Sequence, residues 1–161
     1  MRRGLFLLIT LICSPFLCFV ARSNANMEPH SVLPVHNLNS GKSFAGLQEA
    51  INDNETHNGD VIRADPGIYF DHLTIIKSLS LIGNSRDDTL IDANGTGTVI
   101  QVSADNVTIT NFTLRNGAKY VWNGVGIPDS CVRGENVSQV NINNNTLTDA
   151  PVCAWFSYSS S

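Results

Sequence analysis

The sequence is poor in charged and aromatic residues. Only 15% of its 161 residues are charged and 7% are aromatic. The low charge excludes a disordered acidic tail and a coiled coil rich in Lys and Glu, since both need many more charged residues. The hydrophobic fraction of 42% is sufficient for one folded domain at this length.

Long hydrophobic runs are also scarce, and the longest lies near the N-terminus. Residues 5–20 are mostly apolar, follow Arg2 and Arg3, and precede the small residues Ser23 and Ala25. This arrangement predicts a signal peptide over residues 1–25, cleaved after Ala25. An uncleaved membrane anchor is the alternative. After cleavage we expect a secreted, periplasmic or cell-surface protein without a stable membrane span.

Positive charge is in deficit. Cleavage of the signal removes Arg2, Arg3 and Arg22, which leaves seven basic residues against 14 acidic ones and a net charge of −7. A negatively charged chain repels the phosphate backbone, so we expect no nucleic-acid partner.

Cysteine is limited to four residues, two of which lie in the predicted signal peptide. Cys131 and Cys153 remain, separated by 22 residues. An oxidising compartment would permit one disulfide between them, and two reduced cysteines in the core are the alternative. No His accompanies either thiol in the sequence, so we expect no catalytic cysteine.

The first part of the predicted mature chain has helical rather than strand periodicity. Residues 26–39 contain two prolines and no clear period, which predicts a linker. In residues 40–52, Phe44, Leu47 and Ile51 recur at helical spacing, with Ser40 and Ser43 as candidate caps. We therefore predict a short amphipathic helix over residues 40–52.

After Gly59 the pattern changes to short β-like runs bounded by Gly, Asn, Asp or Pro. A sandwich of antiparallel hairpins and a parallel β-helix both contain such strands. Internal repetition favours the β-helix, because residues 106–114 (NVTITNFTL) align with residues 139–147 (QVNINNNTL). Aliphatic residues would stack inside each coil, and Asn111 and Asn144 would stack at equivalent corners, where Asn tolerates left-handed backbone angles.

These segments carry a resemblance to a known group. Residues 44–117, with the runs LQEAI, GDVI, DPGIY and LTIIKSLSLIG, resemble the opening of right-handed parallel β-helix repeat proteins of the pectin-lyase-like superfamily, which includes NosD-like surface and periplasmic proteins. The resemblance implies an all-β solenoid over residues 40–161, with a capping helix at 40–52 and coils over 60–161. It does not specify the function, because this fold supports lyases, hydrolases, esterases, adhesins and assembly factors.

The enzymes of this superfamily provide specific motifs for comparison. Pectin methylesterases carry Gly-x-Tyr-x-Glu near their start, and this chain has Gly-Ile-Tyr-Phe-Asp at residues 67–71, without matches to their catalytic aspartates. A polysaccharide lyase would need clustered carboxylates for calcium, for which Asp87, Asp88 and Asp92 are the candidates. We therefore predict no catalytic residue and no cofactor, with calcium required only for a lyase.

Copper chemistry, as in NosD-like proteins, would need converging His, Cys or Met ligands. The four His residues lack a paired spacing, and Met27 is the single Met beyond the signal peptide. The resemblance to those proteins is therefore one of scaffold.

Six Asn-x-Ser/Thr sequons occur, and in an exported protein each is a candidate glycan acceptor. The predicted acceptors are Asn54, Asn94, Asn106 and Asn136, of which the first two lie in predicted loops. Asn111 and Asn144 are predicted to be structural because they occupy the equivalent corners of the repeat.

Residues 118–129 interrupt the repeat and lengthen the offset between matching strands to 33 residues. Loops that project from stacked coils are common binding sites. Tyr120 and Trp122 in this insertion are candidates for contact with carbohydrate, and the alternative is that one ring packs back on the coil.

The final residues contain Trp155, Phe156 and Tyr158 and lack an evident capping segment. We expect either further coils beyond residue 161 or a partner on the open end. Our leading hypothesis is an exported, non-catalytic β-helix scaffold that contacts carbohydrate or envelope polymers. The alternatives are the N-terminal fragment of a polysaccharide-active enzyme and a NosD-like assembly factor for a periplasmic metalloenzyme.

Overall fold

The computed structural model describes residues 34–119 and 129–158. The predicted signal peptide and the candidates Tyr120 and Trp122 lie outside the described residues. Within the described part of the chain, no helix has the length and apolar character needed to cross a membrane.

The described residues form fourteen short strands and one helix. In chain order the elements are β1 Val35–Asn37, β2 Ser43–Phe44, α1 Leu47–Asn52, β3 Val61–Ala64, β4 Gly67–Phe70, β5 Leu73–Ile75, β6 Ser80–Gly83, β7 Thr89–Asp92, β8 Ile100–Val102, β9 Thr108–Thr110, β10 Thr113–Arg115, β11 Ser130–Glu135, β12 Asn141–Asn143, β13 Thr146–Leu147 and β14 Val152–Ser157.

From β3 onward the chain visits three sheets in turn, four times over. The first sheet has the order β12-β9-β6-β3-β1-β2, the second β13-β10-β7-β4, and the third β14-β11-β8-β5. Strands of successive coils pair in parallel, as with β3 and β6, β4 and β7, and β5 and β8. Parallel pairing between successive coils excludes the antiparallel sandwich and confirms the predicted parallel β-helix.

The register confirms the internal repeat seen in the sequence. Ile109 of β9 pairs with Ile142 of β12, and Leu81 of β6 pairs with Ile109. Equivalent aliphatic residues therefore stack above one another inside the coil. Buried Ile, Leu and Val side chains from all three sheets join in one hydrophobic core, and their burial supplies the main force that holds the coils together.

The corners of the coils use Asn in the left-handed backbone region, as the sequence predicted. Asn111 has φ 65° and Asn144 has φ 51°. The Asn144 side-chain amide donates to Asn111 Oδ1 at 2.6 Å, one coil away. Asn accepts this conformation more readily than most residues because its short side chain hydrogen-bonds locally.

The N-terminal helix is shorter than the predicted span of residues 40–52. Helix α1 covers Leu47–Asn52, and Gly46 is its N-cap, without a side-chain hydrogen bond from Ser40 or Ser43. Residues Ser43–Phe44 instead form β2, which pairs with β1 and buries Phe44. Pairing with β1 supplies backbone hydrogen bonds that a longer helix would not obtain here.

The predicted linker over residues 26–39 is also too long at its C-terminal end. Val35–Asn37 forms β1, which pairs antiparallel with β3 and extends the first sheet. Leu47, Ala50 and Ile51 of α1 are fully buried, and the helix packs against β1, β2, β3 and β5. The helix and the β1–β2 hairpin together cover the hydrophobic interior at the first coil.

Candidate functional site

The outer face of the second sheet presents an unusual group of side chains. Alternate residues of a strand face opposite sides of the sheet. In this sheet Tyr69, Ile91 and Leu114 are in register and face the core, whereas Phe70, Asp92 and Arg115 are in register on the outer face. An aromatic ring, a carboxylate and a guanidinium therefore lie side by side on three successive coils.

Phe70 is the most exposed member of this row. Its side chain is 71% exposed, and Ile68 on the same face of β4 is 51% exposed. Exposed apolar residues are common singly, but Ile68 and Phe70 lie on one face of the same strand, which makes this face a candidate contact surface.

A surface groove of about 350 Å³ begins at Phe70 and runs toward the next coil. We call it the Phe70 groove; it is lined by Phe70, Asp71, His72, Asp92, Ala93, Asn94 and Thr96. One apolar ring is thus combined with carboxylates, an amide, a hydroxyl and an imidazole. This mixture suits a sugar, which has apolar C–H faces and many hydroxyl groups.

The Asp92 carboxylate forms the floor of the groove and is fully satisfied by hydrogen bonds. It accepts from Arg115 Nε at 2.8 Å, from Asn116 Nδ2 at 2.9 and 3.0 Å, and from the Asn94 backbone N–H at 2.9 Å. Burial opposes its ionisation, but these donors outweigh burial and hold the pKa of Asp92 below its ordinary value. A carboxylate that is ionised at neutral pH and fully bonded suits positioning and is a poor general acid.

His72 also lines the groove, and each of its ring nitrogens has a hydrogen-bonding partner. Its Nδ1 lies 2.9 Å from the Thr98 carbonyl oxygen, and its Nε2 lies 3.1 Å from Thr96 Oγ1. A carbonyl can only accept, so Nδ1 carries the proton and donates to Thr98, whereas the Thr96 hydroxyl donates to the Ala93 carbonyl oxygen at 3.1 Å. The imidazole is therefore a rigid wall of the groove.

The predicted glycan acceptors differ in their surroundings. Asn54, Asn94, Asn106 and Asn136 are all exposed, so each is sterically accessible. Asn94 lines the Phe70 groove, and a glycan attached there would occupy it. Modification of these residues stays a prediction.

Cys131 and Cys153 lie at matching positions of neighbouring strands, because Ser130 pairs with Val152 and Val132 with Ala154. Both are free thiols in the structure, Cys131 buried and Cys153 exposed. Burial raises the pKa of Cys131 to about 11. The spacing of one coil is thus confirmed, whereas the predicted disulfide is not formed in the structure and stays a prediction.

Two of the three carboxylates considered for calcium, those of Asp88 and Asp92, are engaged in local hydrogen bonds, and Asp87 is exposed. Asp88 accepts from Asn84 and Thr89, and Asp92 is bound as described above. Within residues 34–119 and 129–158, no group of three or more His, Cys, Asp or Glu side chains is arranged to hold a metal ion.

The sequence segment at residues 67–71 resembles a pectin methylesterase motif, but the sequence analysis predicts no binding role for Phe70 itself. Strand alternation was the available signal, since Ile68 and Phe70 occupy the outward positions of a strand whose inward residue is Tyr69. The sequence does not indicate that Asp92 and Arg115 meet, because their contact depends on a coil length that puts residues 23 positions apart in register.

A known protein is similar in sequence to most of this chain. A cell surface glycoprotein of Methanothermus fervidus is 35% identical over 125 residues, which are 77% of this chain and 19% of that protein. The chain thus spans about a fifth of the length of this curated relative. No protein-family model matches the sequence.

Among solved structures, a pectin methylesterase in complex with a hexasaccharide superposes with a TM-score of 0.56 and 20% identity, over 73% of this chain and 43% of that one. Pectin methylesterase PemA of Erwinia chrysanthemi has a TM-score of 0.46, with 20% identity over 73% of this chain and 43% of that one. At 20% identity, the superposition on the first of these structures shows the fold alone. The chain is a right-handed parallel β-helix of the pectin-lyase-like type.

Proposed function

We propose that this chain is part of an exported cell-surface protein and that it binds carbohydrate or another envelope polymer through the Phe70 groove. The observation that carries the proposal is the exposed ring of Phe70 beside a fixed set of hydrogen-bonding groups. The name of the Methanothermus fervidus relative supports a location at the cell surface.

Rigidity supports a binding role for this groove. Asp92 of β7 accepts hydrogen bonds from Arg115 of β10 and from Asn116, which directly follows β10, and His72 is held at both ring nitrogens. A site whose groups are fixed before the ligand arrives loses little conformational entropy on binding. The Tyr120 and Trp122 rings stay a separate prediction, because they lie outside the described residues.

The test is the affinity of Phe70→Ala for a panel of soluble cell-envelope polysaccharides, measured by isothermal titration. The protein is made in a host without N-glycosylation, so that Asn94 carries no glycan. A stacked aromatic ring contributes about 1 kcal/mol, so we expect a roughly five- to tenfold weaker affinity.

Ile76→Ala is the matched control, because Ile76 is also an exposed apolar residue, 55% accessible, and lies outside the groove. This variant should bind as the unmodified chain does. Equal losses in both variants, or no binding by the unmodified chain, would contradict the proposed role of the groove.

A second candidate is that the chain is the N-terminal part of a polysaccharide-active enzyme. The fold likeness to a pectin methylesterase supports it, together with the paired Asp92 and Arg115 on the outer sheet face. Release of methanol from methyl-esterified uronic polymers, or of unsaturated products with calcium present, would favour this candidate over binding alone.

A further inference from the structure

A serine, a histidine and an aspartate form a connected row on the first sheet. His36 of β1 lies directly opposite Ser43 of β2, and its Nδ1 is 2.8 Å from Ser43 Oγ. On its other side, His36 Nε2 is 3.1 Å from Oδ2 of Asp65, the residue that follows β3. The adjacent strands β2 and β1 and the residue that follows β3 thus align a hydroxyl, an imidazole and a carboxylate.

The hydrogen bonds define the direction of proton transfer in this row. An ionised carboxylate can only accept, so Nε2 of the neutral imidazole carries the proton and donates to Asp65. Nδ1 then accepts the proton of the Ser43 hydroxyl. A hydroxyl bonded to a base that is oriented by a third group is the arrangement that activates a nucleophile.

The carboxylate is itself held in place. Arg63 Nη2 lies 3.2 Å from Asp65 Oδ1, the oxygen that does not contact His36. The hydroxyl of Tyr69 lies 2.7 Å from the Asp65 carbonyl oxygen, and donates to it. Asp65 is therefore fixed at its side chain and its backbone.

Ser43 is open to a substrate. It is exposed, and β2 is the last strand of its sheet among the described residues, where no further described strand pairs with this edge. The Asn37 N–H bonds the Lys42 carbonyl, which makes His36 and Ser43 a non-hydrogen-bonded pair. The backbone N–H of Ser43 consequently faces the open edge, where it can donate to a developing oxyanion.

A second concave surface adjoins this row. It has a volume of about 350 Å³, and its lining includes Pro34, Ala45, Pro66 and Ile68, together with Phe70 and Asp71 of the Phe70 groove. Pro34 directly precedes β1 and Ala45 directly follows β2, so both lie next to the strands that carry His36 and Ser43. Pro66 directly follows Asp65. The lining is suited to a small apolar group.

We propose that Ser43, His36 and Asp65 form a hydrolytic site for carboxylic esters with a small apolar acyl group. Ser43 Oγ attacks the ester carbonyl carbon while its proton passes to His36 Nδ1. The C–O bond to the alcohol then breaks, and the alcohol leaves with that proton. Water attacks the acyl-serine, gives a proton to His36, and releases the carboxylic acid as the proton returns to Ser43.

Ser43 and His36 are the catalytic residues of this site, and Asp65 is a positioning residue. The row itself lies outside the Phe70 groove, although the concave surface beside the row shares Phe70 and Asp71 with that groove. A purely structural role for the same hydrogen bonds, which would pin β2 to β1 and β3, predicts a change in stability on substitution but no reactive serine.

The experiment is covalent labelling of the full chain with a fluorophosphonate probe, followed by peptide mass spectrometry. The probe loses fluoride and forms a P–O bond to an activated serine, so we expect modification at Ser43. Hydrolysis of p-nitrophenyl acetate and butyrate is measured in parallel. Thermal unfolding of every variant separates a loss of chemistry from a loss of fold.

Ser43→Ala should abolish labelling and ester turnover, and His36→Gln should slow both by roughly 100-fold, the effect of removing a general base. Asp65→Asn should slow labelling with its unfolding temperature near that of the parent, and Asp65→Glu should restore part of the rate. Ser40→Ala and His57→Gln are the matched controls and should label as the parent does, since Ser40 and His57 are exposed and outside the row.

Labelling of Ser43 that depends on His36, in folded variants, supports the site. An unlabelled Ser43 in the parent chain, or equal labelling in parent and His36→Gln, would overturn it and leave the structural role. Labelling reports on Ser43 and isothermal titration reports on the affinity for polysaccharide, so the two proposals are tested by separate measurements and can fail separately.

Discussion

Asp92 illustrates how a single residue links the groove to stability. Its side chain is 4% exposed, and it accepts hydrogen bonds from Arg115, Asn116 and Asn94. An isolated buried carboxylate would be costly, so these donors are required for it to remain charged. The same bonds that stabilise the fold hold the polar floor of the Phe70 groove.

Asp92→Asn should reduce the free energy of unfolding by about 2 kcal/mol at neutral pH, since its amide would face the Arg115 and Asn116 donors. The folded-state pKa of Asp92 is lowered, so its contribution is present above the ordinary value of 3.8 and is lost as pH falls through the folded-state pKa. Parent and variant should therefore converge in acid.

Urea unfolding at several pH values measures this difference. Asp87→Asn is the control, because Asp87 is exposed, and it should change stability little at any pH. A difference between Asp92→Asn and the parent that stays constant down to strongly acidic pH would contradict the electrostatic explanation.

At the scale of elements, close stacking of coils limits which residues can end a strand. Gly83 ends β6 at the corner where the next coils have Asn111 and Asn144. A Cβ at Gly83 would collide with the carbonyl oxygen of Asn111 and lie 3.2 Å from Phe112 Cδ1. The first copy of the repeat thus has glycine because the following corner packs directly on it.

Gly83→Ala should destabilise the protein by about 2 kcal/mol, because the stacked corner must shift to admit the methyl group. Gly67→Ala is the matched control within another strand. Its nearest neighbour would be Tyr69 Cε2 at 3.9 Å, an ordinary contact. Thermal unfolding that ranks the two variants in the opposite order would show that the corner relaxes freely.

Across the whole molecule, enclosure decreases toward the last described coil. Ile109 of β9 is fully buried between β6 and β12, whereas Ile142 of β12 is half-buried, and among the described strands β12 pairs with β9 alone. In a solenoid each coil contacts its immediate neighbours, so the stability of a coil depends on how many neighbours it has.

Ile109→Ala should cost about 3 kcal/mol, the usual effect of a cavity in an enclosed core, and Ile142→Ala about half of that. The two residues are in register and receive the same substitution, so each is the other's control. Equal losses in chemical denaturation would contradict the gradient of enclosure along the stack.

Much of the fold was predictable because its signals are local. Alternating Val, Ile and Leu with Asn at the corners is enough to specify short inward-facing strands, and the match of residues 106–114 with 139–147 specifies stacking. The predicted start of the helix, at residue 40, was wrong because Phe44 fits a helical period and a strand equally well. Pairing with β1 decided between them.

The sequence by itself determined the solenoid, its one-coil spacing between Cys131 and Cys153, and its asparagine corners, since each follows from residue type and period. Only the tertiary structure decided which polar groups meet. Ser43 and Asp65 reach His36 across strands 7 and 29 residues away, and Arg115 reaches Asp92 across one coil. Such contacts depend on register and coil length, which no local pattern of residues records.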